Sequence, residues 1–276
     1  MAKTRRLIAE NLKNVDVVIE LLDARIPKSS RNPEIKTLCG DKPRLLLLNK
    51  ASLADPEQNR IFVKELSGDG VACLLTDCQT GAGFDRIEPT VKELLKEKIE
   101  RYEAKGMNGR RLRAMILGIP NVGKSSFINK VAGAHRAKVE NRPGVTLDKQ
   151  WVSTKIGLDL LDMPGILWPK FDDRTVGENL AITGAIKDAV VDTYALGCAL
   201  CGKLAALYPA LLSERYKLGD MAAYRDLKDY ELLDVIGKKR GFLVSGGEVD
   251  GERAAKMLLE EFRSLKIGRI TLDRLS

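Results

Sequence analysis

The octapeptide Gly118-Ile119-Pro120-Asn121-Val122-Gly123-Lys124-Ser125 constrains the fold more than any other stretch of the chain. It fits G-x-x-x-x-G-K-[ST], follows an apolar run at residues 112–117 and precedes a helical pattern at 124–131, so it reads as the turn of a strand–loop–helix unit. Small residues let the backbone wrap round an anion, successive N–H groups and the helix N-terminus point inward, and Lys124 reaches the outer phosphate oxygens. The strand of such a unit belongs to a sheet that is largely parallel, with helices on its faces.

The rest of the chain supplies that sheet. Apolar runs at residues 15–22, 44–48 and 71–76 read as buried parallel strands. Helical spacing at 56–66 and in one long segment over 84–104 gives the order β-α-β-α-β-α, a doubly wound α/β fold. Residues 151–156 and 158–161, split by Gly157, read as two adjacent strands that finish the sheet. Helical spacing at 176–189, 193–218 (interrupted near Pro209), 227–236 and 252–265 predicts a small all-α domain over residues 173–276, after a nucleotide-binding domain over 1–172.

With 276 residues, each of two domains can bury its own core. The longest apolar run, around residues 45–48, is far too short to cross a bilayer, and the N-terminal stretch lacks the apolar core of a secretory signal. A cytoplasmic protein without a membrane span is expected. Five cysteines scattered among apolar residues suit a reducing compartment. Cys198 and Cys201 form a C-x-x-C with no second pair or histidine nearby, which reads as two small buried residues rather than a metal or redox pair. The net charge of +8, with Lys and Arg at both ends and through residues 92–113, attracts phosphate backbones, though a solvated basic surface has the same composition.

Further motifs complete a nucleotide site. Asp162-Met163-Pro164-Gly165 closes a strand with D-x-x-G, an acid that holds Mg²⁺ through water and a glycine N–H that meets the γ-phosphate. Ser125 is the direct Mg²⁺ ligand, with Ser126 beside it, and Thr146 in the intervening polar loop is the natural second hydroxyl. Asn49-Lys50-Ala51-Ser52 resembles the N-K-x-D element that reads guanine, in which Asp accepts two hydrogen bonds from the base and the Lys stem packs on its face. A hydroxyl for the carboxylate weakens guanine preference by about 1–3 kcal/mol. Asp55 is either a substitute acceptor or a helix N-cap. Thr76-Asp77-Cys78 stands in the place of the S-A-K base contact and departs from it.

In most GTPases the phosphate loop comes first, whereas here Asn49 precedes Gly118, so the motif order is circularly permuted. Old ends joined and new ends opened at the surface leave the same strands paired. The segment through Gly165 then leads directly into the helical region, which lets an ordered phosphate-sensing loop reorient that region.

With this order, and with Asp23-Ala24-Arg25-Ile26-Pro27, Ser29-Ser30-Arg31-Asn32-Pro33, Pro164-Gly165-Ile166-Leu167-Trp168-Pro169-Lys170, Thr183-Gly184-Ala185-Ile186-Lys187-Asp188 and Ser245-Gly246-Gly247, the whole chain resembles the ribosome-biogenesis GTPase A (YlqF-like) family. Asp23 to Arg25 alone also fits a strand end with a surface ion pair. The resemblance implies an assembly factor that binds GTP and GDP and hydrolyses GTP, slowly alone and faster with ribosomal subunits. Its nucleotide state would control binding to the large subunit and its rRNA. It implies a monomer off the ribosome with no DNA or membrane partner, and K⁺-stimulated hydrolysis in which Asn121 helps hold the cation; bracing of the loop is the other role open to Asn121. The phosphate and base contacts then fall to Asn49, Lys50, Ser52, Thr76 and Asp77, to Asn121, Val122, Gly123, Lys124, Ser125 and Ser126, and to Thr146 and Gly165, with Ser125, Thr146 and Asp162 on Mg²⁺.

The catalytic residue is unassigned. Ile166 follows Gly165 with no water-orienting Gln in the motif. The resemblance implies a histidine in a Pro-Gly-His segment immediately before the Met-Ala-Lys of this sequence, so either that residue precedes the first one here or hydrolysis is slow. His135 does not align with it and reads as a loop residue. The alternative functions are a nucleotide-gated RNA-binding assembly protein with little turnover, or an NTPase of relaxed base preference.

Overall fold

The computed structural model describes residues 2–132, 151–165, 167 and 173–275. Helix α1 (Ala2–Leu12) precedes strand β1 (Val17–Asp23), followed by α2 (Pro33–Cys39), β2 (Arg44–Asn49), α3 (Pro56–Leu66) and β3 (Val71–Leu75). Then come α4 (Ile87–Leu94), α5 (Lys96–Glu103), β4 (Leu112–Gly118), α6 (Lys124–Ala132), β5 (Trp151–Ser153) and β6 (Leu158–Asp162). Among the described residues the sheet has six strands in the order β3-β2-β1-β4-β6-β5, all parallel except β5, which runs antiparallel to β6.

Every residue of β1 and β2 is buried, as strands covered on both faces require. Val17, Ile19 and Leu21 face a large core with Leu45, Leu47 and Ile116, while Val18 faces a second core with Ile8, Ile35 and Met115 under α1 and α2. The helix implied between β1 and β2 is the short α2, whose start is written in Asn32-Pro33: Asn32 caps Glu34 N–H and Pro33 fills the first turn. The long helix expected over 84–104 is instead a 3₁₀ turn (Phe84–Arg86) and two helices. They meet at buried Leu95, where Leu95 N–H still reaches Val91 O at 3.1 Å and Ile99 N–H reaches Leu95 O at 2.9 Å.

Glu20 interrupts the second face. It is 1% exposed, and its carboxyl oxygens lack a well-formed hydrogen bond among the described residues. Burial pushes this carboxyl up to about 7, with Arg31 and Arg44 pulling the other way. Since its folded-state value lies above the ordinary 4.5, the folded chain holds this proton more tightly, and stability falls as pH rises from about 4.5 to about 7. The loss is about 3 kcal/mol. Glu20→Gln is expected to remove that slope, so that denaturant melts at pH 8 favour the variant by about 1–3 kcal/mol and the gain vanishes near pH 4.5. Equal pH slopes for the two proteins would contradict this.

Beyond the sheet lie α7 (Arg174–Ile182), α8 (Thr193–Leu207), α9 (Pro209–Tyr216), α10 (Asp229–Lys239) and α11 (Gly251–Arg263). The helix expected to run to residue 189 stops at Ile182, because the chain turns through Thr183-Gly184. Pro209 breaks the next helical run where expected, ending α8 and opening α9. One apolar cluster joins the sheet to these helices and includes Ile26, Leu180, Leu258 and Leu272. After α11 the chain returns to the sheet. Ile270 N–H donates to Leu53 O at 3.1 Å and Leu272 N–H to Arg25 O at 2.8 Å, while Asp273 accepts from Ser29 N–H at 2.7 Å and Asn179 Nδ2 at 2.9 Å. No single helix among the described residues is long and apolar enough to cross a membrane.

Candidate nucleotide-binding site

Because β1, β2, β3, β4 and β6 are parallel, their C-terminal ends share one edge of the sheet. The chain leaves β1 toward β2 on one side, while β4 and β6 lie on the other. Open α/β sheets hold ligands in the crevice at such a reversal. β4 delivers Gly118 there, and the loop turns through Asn121 at φ 59 and Gly123 at φ 107 before α6 starts at Lys124. Gly123 is required twice over, by its positive φ and because a Cβ would stand 2.4 Å from Asn49 Nδ2.

That contact joins the two halves of the site. Asn49 ends β2, donates from Nδ2 to Val122 O at 2.8 Å and accepts Cys78 N–H on Oδ1 at 3.1 Å. One side chain thus fastens the phosphate loop to the loop after β3. Lys50, at φ 61, donates to Asn121 O and to Asp23 Oδ2, each at 2.9 Å. Asn121 Nδ2 donates to Gly184 O at 2.9 Å, linking the loop to the end of α7, so the bracing role is present.

Asp23 and Arg25 correct the reading of a surface ion pair: both side chains are 3% exposed. Arg25 clamps the carboxylate with Nε at 2.9 Å and Nη2 at 2.7 Å, and Nη2 also reaches Thr183 O at 3.3 Å. Burial pushes the Asp23 carboxyl up, but the Arg25 and Lys50 cations and their hydrogen bonds overcome this and hold it well below the usual carboxylate range. Asp23 pairs with Asn49 in the β1–β2 register, so its position beside the Asn49-Lys50 element follows from the sheet. An acid closing the neighbouring strand was the available signal.

Ser52 and Asp77 come together. Asp77 is buried, takes the Ser52 hydroxyl on Oδ2, and accepts Gln79 N–H at 2.8 Å and Thr80 N–H at 3.0 Å on Oδ1. Thr76 contributes through its backbone, its carbonyl accepting Ala51 N–H at 3.1 Å while its hydroxyl is buried without a partner among the described residues. Asp55 is an N-cap, accepting Glu57 N–H at 2.8 Å on one oxygen and Tyr208 Oη–H at 2.9 Å on the other. Arg269 ties this corner to the C-terminal segment by donating to Ala54 O at 2.9 Å and Ala51 O at 3.0 Å. No local sequence pattern announces a contact across more than 200 residues.

On the phosphate side, Lys124 Nζ lies over its own loop, 3.3 Å from Gly118 O and 3.4 Å from Ile119 O. Burial lowers its pKa and the Asp162 charge opposes the shift; burial likewise raises Asp162 against the pull of Lys124. Gly165 closes the site, since a Cβ there would lie 3.0 Å from Lys124 Nζ and 3.2 Å from Pro120 N. Ser125 and Ser126 are exposed on the first turn of α6, and Asp162 stands opposite Ile116 at the end of β6. Thr146 and His135 lie outside the described residues. Among the described residues no three His, Cys, Asp or Glu side chains gather into a metal site. A hydroxyl and one carboxylate near a phosphate cradle suit Mg²⁺, which keeps waters and takes phosphate oxygens.

A strand-fed phosphate loop, reached by an Asn-Lys element from earlier in the chain on a doubly wound sheet, defines a P-loop nucleotide-binding protein of circularly permuted order. A family profile described as a 50S ribosome-binding GTPase matches residues 113–195, and the ribosome biogenesis GTPase A of Priestia megaterium is 47% identical over 274 residues, 99% of this chain and 94% of that relative. The chain belongs to the ribosome biogenesis GTPase A family. The Bacillus pumilus relative is 44% identical, covering 99% of this chain and 96% of its own length. The fold is shared with GNP-bound YlqF from T. maritima, at a TM-score of 0.62 and 23% identity over 99% of this chain and 98% of that one.

Proposed function

We propose that this protein binds GTP and GDP and hydrolyses GTP as an assembly factor of the large ribosomal subunit. One observation carries the reading: Asn49, which precedes Val122 by 73 residues, is hydrogen-bonded to the phosphate loop, which supports one site built from base-reading and phosphate-binding residues despite the permuted order. Family membership favours a hydrolase over a gated RNA-binding protein without turnover.

Backbone N–H groups of the loop and Lys124 bind the phosphates, Asn49 holds the loop in register with the base-reading corner, and Gly165 reports the γ-phosphate. Mg²⁺, when bound, offsets charge on the phosphate oxygens; Ser125 and, through water, Asp162 would hold it together with Thr146. Asn121, oriented by its bond to Gly184 O, would help hold K⁺, which when bound would offset charge beside the phosphates. Residues 173–276 are the rRNA-binding part, a reading supported by exposed Lys238 and Lys239 in the last turn of α10 and not by net charge, since the excess of Lys and Arg over Asp and Glu lies in residues 1–172.

The test is phosphate release from GTP with and without large subunits, in K⁺ and in Na⁺. Slow release alone, raised by subunits and further by K⁺, is expected. No stimulation under any of these conditions would defeat the proposal.

A further inference from the structure

Guanine presents two kinds of N–H donor on its Watson–Crick edge, N1–H and the exocyclic amine, and a site that prefers it needs acceptors there. Position 52, where N-K-x-D places a carboxylate, is a serine. A free hydroxyl rotates and either donates or accepts, so by itself it discriminates poorly. Here the hydroxyl is not free. Its proton is given to Asp77 Oδ2, and the Ser52 N–H points at the same oxygen at 3.4 Å.

We propose that Ser52 and Asp77 together read the guanine edge as an inverted acid–hydroxyl pair: Asp77 is a positioning residue that keeps the proton of Ser52 turned away, so that Ser52 Oγ offers only lone pairs to the base. This rests on the guanine-nucleotide reading of the site given above. Ser52 is half-buried, whereas its partner Asp77 is buried. Asn49, three residues before Ser52, bonds both the phosphate loop and Cys78 beside Asp77, which places the pair where the purine of a loop-bound nucleotide arrives.

The carboxylate is held ionised. Burial alone would raise it, but hydrogen bonds from Ser52, Thr80 and Gln79 outweigh burial and keep it below the usual range. An ionised acceptor binds the hydroxyl proton more firmly than a neutral one. The pair therefore rejects adenine, whose N1 is an acceptor, and xanthine, whose O2 would face both the Ser52 lone pairs and the Asp77 charge.

Asp77→Asn tests this cleanly. The amide oxygen can keep the Gln79 and Thr80 N–H bonds, while an NH₂ group replaces Oδ2 and donates to Ser52 Oγ, so the serine proton is released toward the base. Displacement of a fluorescent N-methylanthraniloyl-GDP from the full chain by GDP, XDP and ADP reads the outcome, with a thermal melt to confirm folding. GDP affinity is expected to fall about 10- to 100-fold and XDP affinity to rise, so that the GDP:XDP ratio drops at least about tenfold. The exchange Ser52→Asp with Asp77→Ser is expected to bring the ratio back within a few-fold of the parent. A uniform loss for all three nucleotides, or an unchanged GDP:XDP ratio in Asp77→Asn, would mean that the pair only supports the loop, and would overturn the proposal while leaving the GTPase reading intact. A parent protein that fails to bind the labelled GDP overturns both.

Discussion

Lys124→Ala is expected to lower GTP turnover by about 10²–10³-fold, the usual consequence of removing one preorganised donor from charge that develops in a transition state. Burial makes the ammonium of Lys124 costly to keep charged, and in this structure its donors are spent on two backbone carbonyls at 3.3 and 3.4 Å. Those bonds are long and weak compared with a charge-assisted bond to phosphate. The lysine is thus poised to exchange its own loop for a ligand. Loss of the side chain removes the ligand contact and little else, so the melting temperature is expected to stay within about 2 °C of the parent, a shift that corresponds to about 1 kcal/mol or less for a chain of this size. Phosphate release and a thermal melt on the same sample separate the effects. Unchanged turnover in a variant that melts with the parent would remove Lys124 from the phosphate site.

The largest stability effect is expected at Asp23. Asp23→Ala takes the acceptor from Arg25 Nε, Arg25 Nη2, the Arg25 N–H and Lys50 Nζ together, and leaves a guanidinium that is 3% exposed without its counter-charge. Breaking a buried pair from one side costs about 3–5 kcal/mol. At about 2–4 °C per kcal/mol, the melting temperature should fall by roughly 6–20 °C. Arg25 retains its place over the Phe262 ring at 5.5 Å and its bond to Thr183 O, so the damage centres on the β1 end and on Lys50. The pH dependence has a definite sign. The Asp23 carboxyl titrates below its ordinary 3.8 in the folded chain, so its contribution is complete above that value and is lost as pH falls through the folded-state pKa. The gap between parent and variant should hold at pH 7 and shrink below about pH 4. A gap that is small at pH 7, or that widens in acid, would contradict the assignment.

The architecture was legible because its signals are local. A phosphate loop between an apolar run and a helix, and all-apolar strands with helical spacing between them, are read within windows of ten to twenty residues. The order in which Asn49 and Gly118 occur gave the permutation. What the chain conceals is pairing across distance. Asp23 alone fits a strand end because its partner Arg25 is held by Thr183 and Phe262, which the helices that follow the sheet bring to it. Ser52 looked like a weakened contact because the carboxylate that binds its proton arrives from the loop after β3. Arg269 carried no local signal, since its partners are the carbonyls of Ala51 and Ala54 and only the returning C-terminal segment delivers it there. The helical spacing over 84–104 is continuous and the hydrogen bonds do run through Leu95, so the break there lies in the backbone geometry of the join and leaves no mark on the spacing. The end of α7 is hidden for a different reason: the helical spacing continues past Gly184 although the backbone turns there.

The central claim is that the loop around Lys124 and the corner around Asn49 form one nucleotide site from segments in reversed order. A crystal structure with a non-hydrolysable GTP analogue measures it directly. The expected result is a triphosphate held by the backbone N–H groups of residues 121–125 and by Lys124, with the purine between Lys50 and Cys78, its Watson–Crick edge within hydrogen-bond reach of Ser52. A purine lying away from Asn49, Lys50 and Ser52, or loop amides turned from the phosphates, would contradict the account.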